Sequence, residues 1–165
     1  MKFFARANRH SITYRLPGAA WTLEFDSLVV DFLGGHVQKG RLAKEAAGQF
    51  YARELSGDAI HVEVATVLAE ARSTRTNVLV DIPSAEAERV ARFAQGFHCV
   101  GFWHSHPEPV PHPSGEDLMF AADHARAARS HLTGLVFVIV GTARFPEGLC
   151  VGLHDGVRWT LAAPI

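Results

Sequence analysis

At 165 residues, with 48% apolar and 20% charged side chains and a formal net charge of -1, the chain has the length and balance of one globular domain. The near-zero charge disfavours a nucleic-acid binder, which carries a basic excess, and the longest apolar run, residues 135–140, is far short of the about 18 residues that a membrane span needs. Arg6 and Arg9 break up the N-terminus before a signal-peptide core forms, and two cysteines, Cys99 and Cys150, cannot build a disulfide framework, so the expected location is the cytoplasm.

Taken in chain order, residues 11–16 alternate weakly and suit an edge strand, and residues 21–25 alternate cleanly as a second strand. Asp26 or Ser27 can then cap a helix that carries Leu28, Val29, Phe32, Leu33 and Val37 on one face and stops near Gly40. Residues 47–53 and 59–67 read as strands joined by the turn Ser56-Gly57-Asp58, and residues 77–81 as another strand. Pro83 suits the first turn of a helix whose Ala87, Val90, Ala91 and Ala94 form one apolar face, with Gly96 as its stop. A strand at residues 98–103, a proline-rich loop and a helix from Ser114 to about Ser130 follow. Strands at 135–140, 149–153 and 157–161 close the chain. Interleaved elements with three consecutive final strands predict an α/β domain, a mixed sheet flanked by helices. No repeat or low-complexity linker divides residues 1–165, so a single domain is expected.

The chain holds ten histidines, a high number for the side chain that is both the neutral-pH acid–base and the commonest metal ligand. The densest chemistry is His104-Ser105-His106-Pro107, followed after six residues by Ser114-Gly115-Glu116-Asp117. In extended backbone, residues i and i+2 face the same side, so His104 and His106 can present two imidazoles to one point. Asp117 falls in the first turn of the next helix and can turn a carboxylate back toward them. Two imidazoles, a carboxylate and an open fourth position make a catalytic zinc set. Ser114-x-x-Asp117 is equally a helix capping box, so two roles compete for Asp117. Glu116 and His112 stand as rival ligands, and Cys99 and Cys150, with no C-x-x-C pattern, are expected to be core thiols.

Gly101-Phe102-Trp103-His104-Ser105-His106-Pro107 with Ser114 and Asp117 resembles the signature of the JAB1/MPN/Mov34 (JAMM) metalloproteases: His-Ser/Thr-His-Pro, a short spacer, then Ser-x-x-Asp. That family also has a glutamate on an early strand, commonly in a Glu-x-Gly-Gly context after a helix and a Gln. Here Gln38 precedes Glu45-Ala46-Ala47-Gly48, with Ala47 in place of the first glycine. The resemblance covers residues 23–140 and leaves residues 1–22 as an N-terminal extension.

The resemblance implies a JAB/MPN fold with cytidine-deaminase-like layering. It implies that His104, His106 and Asp117 bind one Zn²⁺, that Glu45 is the general base, and that Ser114 supports the oxyanion. Glu54 and Glu63 are the fallback bases. The eukaryotic deubiquitinating members carry an added segment after the aspartate, for which this chain has no room. Its layout looks more like bacterial JAB proteins found beside E1- and E2-like enzymes, including antiphage conjugation systems. The implied substrate is then a ubiquitin-like protein, removed from a target or matured from a precursor. A sulfur-carrier protein or small peptide, or a non-catalytic MPN scaffold, are the alternatives; retained ligands weigh against the scaffold. Neither nucleic acid, as for the RadC group, nor a membrane is expected as a partner.

Overall fold

The computed structural model describes residues 10–40, 42–68, 70–73 and 78–165; Arg6, Arg9 and Asn77 lie outside them. The elements are β1 (Ile12–Arg15), β2 (Thr22–Phe25), α1 (Ser27–Gly35), β3 (Ala47–Ala52), β4 (Ala59–Val62), β5 (Val64–Ala65), β6 (Glu70–Ser73) and β7 (Val78–Val80). They continue with α2 (Ile82–Ala94), β8 (His98–Ser105), α3 (Gly115–Ala128), β9 (Leu135–Val140), β10 (Leu149–His154), β11 (Trp159–Leu161) and β12 (Ala163–Pro164). A large mixed sheet has the order β11-β10-β9-β8-β3-β5, with β8 and β9 parallel and its other pairs antiparallel. A smaller sheet, β12-β1-β2-β4, lies beside it, and β6 pairs antiparallel with β7. This is the expected α/β class.

Two hydrophobic layers follow from strand alternation. Trp103, Val136, Val138 and Val140 point from the large sheet into a core shared with Tyr14, Leu23 and Phe25 of the small sheet and with Val29 and Leu33 of α1. The opposite face carries Phe102 and Phe137, which pack with Leu135 and Ala121 of α3. A register shift between Phe50 and Tyr51 leaves Val100 unpaired on β8, as in a β-bulge. Beyond it, Phe102 and His104 share a face while Trp103 and Ser105 share the other.

Several expectations change in the fold. β1 is interior to its sheet, because the C-terminal β12 covers the flank predicted to be an edge. α1 ends at Gly35 rather than near Gly40, and the His36 ring Nδ1 lies 2.8 Å from the Phe32 carbonyl, closing the last turn. The strand expected over residues 59–67 divides at Glu63: β4 runs parallel to β2 and β5 antiparallel to β3, so this segment joins the two sheets. β11, expected from residue 157, begins at Trp159, because the Asp155 carboxylate accepts the Val157 and Arg158 N–H groups in a turn.

The largest correction is α2. Its Ala87, Val90, Ala91 and Ala94 face solvent, and Ala85, Glu88, Arg89 and Arg92 form its more covered side. The reason is what lies beneath. β3 presents Gln49 and Tyr51, both fully buried, and the Glu88 carboxylate accepts hydrogen bonds from the Tyr51 hydroxyl (2.8 Å), Gln49 Nε2 (3.2 Å) and the Thr66 hydroxyl. Arg89 donates to Gln49 Oε1 at 3.0 Å. A polar strand face called for a polar helix face, since buried polar groups are costly unless paired.

Two buried tyrosines give an alkaline prediction. Burial, with Cys150 and Glu147 nearby, pushes the Tyr14 phenol well above its usual range, and burial with the Glu88 bond does so for Tyr51. The folded state therefore keeps protons that the unfolded chain loses near pH 10, so stability present below about pH 10 falls as pH rises beyond it. Tyr14 Oη has no hydrogen-bond partner among the described residues. Tyr14→Phe should therefore keep or raise stability at neutral pH, by up to about 1 kcal/mol. It should also lose less between neutral pH and about pH 10.5 than the parent, as measured by urea midpoints.

Candidate active site

β8 carries the centre of the site. Its end alternates: His104 and His106 turn toward the α3 side, and Ser105, fully buried, turns the other way. Ser105 Oγ accepts the Ala46 N–H at 2.9 Å, and the Ser105 N–H donates to the Ala46 carbonyl at 2.9 Å. With Ala47 paired to His104, this two-way contact holds the segment before β3 against the end of β8, and with it Glu45. The His106 N–H donates to the Val140 carbonyl at 2.9 Å, which continues the parallel pairing past Ser105 until Pro107 ends it.

The imidazoles meet the start of α3. His104 Nε2 lies 3.0 Å from His106 Nε2 and 3.0 Å from Asp117 Oδ1, and His106 Nε2 is 3.6 Å from Asp117 Oδ2. Among the described residues these three form the one His/Cys/Asp/Glu group whose donor atoms converge this closely. Donors at 2.0–2.1 Å from a tetrahedral zinc stand roughly 3.3 Å apart, close to the spacing of His104 Nε2 from His106 Nε2 and from Asp117 Oδ1. Donor chemistry agrees: two imidazole nitrogens and a carboxylate oxygen, leaving a fourth position open.

The two roles that competed for Asp117 are both present. Its Oδ2 accepts the Ser114 N–H at 2.7 Å, its own N–H donates to Ser114 Oγ at 3.1 Å, and Oδ1 is left to face His104. Burial acts to raise the Asp117 pKa, but the bonds from His104 and Ser114 outweigh it and hold the carboxyl well below the usual range. The side chain is thus anionic and fixed in direction.

Glu45 is 5% exposed and lines the same cleft as His104, His106, Ser114 and Asp117. Its pKa is raised to about 7, chiefly by burial, with Asp117 and Glu108 adding to the rise and His104 opposing it. Of the fallback bases, Glu54 is engaged with Leu55 and Ser56 and Glu63 with Arg53, and neither lines the cleft. Glu116 lines the cleft but stays out of the three-donor group, as does exposed His112. Cys99 and Cys150 are partly buried and buried thiols; burial pushes Cys99 up to about 11 and Cys150 upward too, far from a reactive thiolate.

One residue near the site escaped the sequence reading, and one was noted there only as part of the glutamate motif. Glu108 Oε2 lies 3.3 Å from His106 Nδ1, and accepting its N–H would leave Nε2 free to face a metal. Only the i, i+2 spacing hinted at it. Gly48 is the other: a Cβ there would sit 1.6 Å from the Thr66 carbonyl oxygen, to which the Trp103 indole donates at 2.8 Å. Glycine at 48 lets that bond cross the strand.

A two-histidine, one-carboxylate centre on a strand end and a helix N-terminus, with a buried glutamate beside it, has the makings of a hydrolytic metal site. Residues 36–154 match the family described as prokaryotic homologs of the JAB domain (Prok-JAB), and the chain belongs to that family. A curated relative, named as a CD-NTase/cGAS isopeptidase from Enterobacter hormaechei subsp. hoffmannii (strain UCI 50), is 26% identical over 139 residues, covering 83% of this chain and 77% of that protein. The solution structure of protein DSY2949 from Desulfitobacterium hafniense superposes with a TM-score of 0.59 at 22% identity, over 83% of this chain and 87% of that one. That likeness concerns the fold. Among the described residues, no helix is long and apolar enough to cross a membrane.

The geometry puts Asp117 in the candidate metal site and Ser105 behind it as a positioning residue. Asp117→Ala should abolish stoichiometric zinc binding, whereas Ser105→Ala should keep zinc bound. Losing a buried hydrogen bond, Ser105→Ala should melt earlier by about 1–3 kcal/mol of stability. Elemental analysis after dialysis and thermal unfolding check both; unchanged zinc in Asp117→Ala would reassign the third ligand.

Proposed function

We propose that the protein is a zinc-dependent peptidase or isopeptidase that cuts the bond following the extended C-terminal tail of a ubiquitin-like protein. It would free that protein from a conjugate or from its precursor, working alongside E1- and E2-like enzymes in antiphage defence. The observation that carries the reading is the convergence of His104, His106 and Asp117 in one cleft with buried Glu45. Family membership and the isopeptidase named among the relatives support the same class of reaction.

His104, His106 and Asp117 would hold the ion. When bound, zinc polarises the scissile carbonyl as a Lewis acid and lowers the pKa of water to about 7. Glu45 accepts the proton of the attacking water as its oxygen bonds to the carbonyl carbon. It then delivers that proton to the leaving amine nitrogen as the C–N bond breaks. A carboxyl whose pKa burial has lifted toward neutrality can do both, since it holds the proton neither too weakly nor too tightly. Ser114 Oγ already accepts the Asp117 N–H, so its own hydrogen remains to be donated to the oxyanion. The tail would lie extended beside a strand near the cleft, its backbone held by hydrogen bonds.

Glu45→Gln keeps the shape of the base and removes its proton chemistry. With a C-terminally extended ubiquitin-like protein as substrate, it should retain zinc and lose about 10²–10⁴-fold in kcat. Full activity in that variant would overturn the assignment. In the parent, activity should rise with pH as Glu45 ionises, with the acidic limb at or below about pH 7, because a bound cation lowers a neighbouring carboxyl.

A further inference from the structure

The cleft is larger than the chemistry at its metal end requires. Its volume is about 690 Å³, whereas a water molecule takes about 30 Å³. From His104 and its strand partner Ile139 it continues over the sheet and under α3, where its lining becomes aromatic and uncharged: Phe102, Phe120, Phe137 and Trp159. Phe102 and Phe137 are cross-strand neighbours, stacked with ring centroids 5.8 Å apart and planes inclined by 21°. Phe120 stands edge-on to both, at 5.4 and 6.2 Å, and remains 38% exposed. At the far end the Trp159 indole lies over Gly152, where a Cβ would come within 2.2 Å of the ring. The absence of a side chain at 152 leaves the indole that place.

We propose that this aromatic recess is a side-chain subsite of the peptidase, taking one bulky apolar side chain of the substrate within two residues of the scissile bond. The inference rests on the peptidase reading above. Continuity fixes the occupant: the recess opens into the cleft that holds the metal-ligand set, so a peptide spanning the site passes its mouth. Spacing fixes the position. Phe102 precedes His104 by two residues on the same strand face, roughly 6.7 Å, and an extended peptide covers the same distance in two residues with its alternate side chains on one side. Chemistry fixes the class. Acidic groups gather at the metal end, at Glu45, Glu108, Glu116 and Asp117, and the aromatic end offers apolar surface to an apolar side chain.

The test uses the zinc-loaded protein and a C-terminally extended ubiquitin-like substrate carrying Gly, Leu or Phe at each of two positions on either side of the cut. One position should prefer Leu or Phe over Gly by roughly ten- to hundredfold in kcat/KM. Phe120→Ala, at a partly exposed helix position, should fold and hold zinc normally and reduce that preference to below about threefold. In parallel, indole fluorescence should show N-acetyl-Gly-Phe-Gly-amide binding about tenfold more tightly than its triglycine counterpart to the parent, and without that advantage to Phe120→Ala. Cleavage with no apolar preference, or a preference that survives in Phe120→Ala, would overturn the subsite and leave the peptidase reading standing. Discriminating peptide binding without any cleavage would keep the subsite and overturn the peptidase reading.

Discussion

Strand β8 lies between a parallel neighbour and an antiparallel one, and its last residues face two ways. The side chains of His104 and His106 emerge into the cleft, while Ser105 between them is sealed from solvent and bonded to both polar groups of the Ala46 backbone. Three consecutive residues therefore set the two imidazoles and the segment that carries Glu45. A slip of one residue in this register would drive the histidines into the core that Trp103 occupies and turn Ser105 toward the cleft. Breaking a buried hydrogen bond costs about 1–3 kcal/mol, which opposes such a slip in addition to the hydrophobic penalty.

The proposed third ligand is held by different means. Asp117 sits in the first turn of α3, where free backbone N–H groups and the helix dipole favour an anion. Its two oxygens divide the work: Oδ2 closes the capping box with Ser114, and Oδ1 faces His104. The cap restricts the rotamer without an ion, so the ordering cost of a metal site there would fall largely on folding rather than on binding. A side chain with a single acceptor oxygen, such as serine, could not do both.

What was legible in the sequence was whatever rested on local spacing. His-x-His on extended backbone, Ser-x-x-Asp at a helix start and the Val/Ile-rich run at residues 135–140 each encode their structure within a few residues. The α/β class followed from element order for the same reason. Features that depend on a distant partner were not legible. The inward face of α2 is set by Gln49 and Tyr51, more than thirty residues earlier, so apolar periodicity pointed to the wrong side. The interior position of β1 depends on the chain's last residues, and the break at Glu63 on two sheets competing for one segment. Glu45 was marked out by resemblance, since several other glutamates precede the histidines; only the fold separates it from Glu54 and Glu63.

The same distant partners explain how the proposed base, Glu45, which lies outside any strand, can be held in place. β3, which Glu45 precedes by one residue pair, is fixed on both faces and at its start. On one face, Gln49 and Tyr51 are tied to Glu88 and Arg89 of α2. On the other, Phe50 packs into the main core, and across Gly48 the Trp103 indole reaches the Thr66 carbonyl. At the start, Ser105 grips Ala46. With β3 unable to shift, Glu45 keeps its place relative to β8, and the unusual polarity beneath α2 gains a reason. A purely apolar interface would bury comparable surface, but directional hydrogen bonds fix a strand along its axis as well as against its neighbour. Axial position is what matters here, since a displacement of β3 along β8 by one residue, about 3.4 Å, would carry the proposed base out of reach of the histidines.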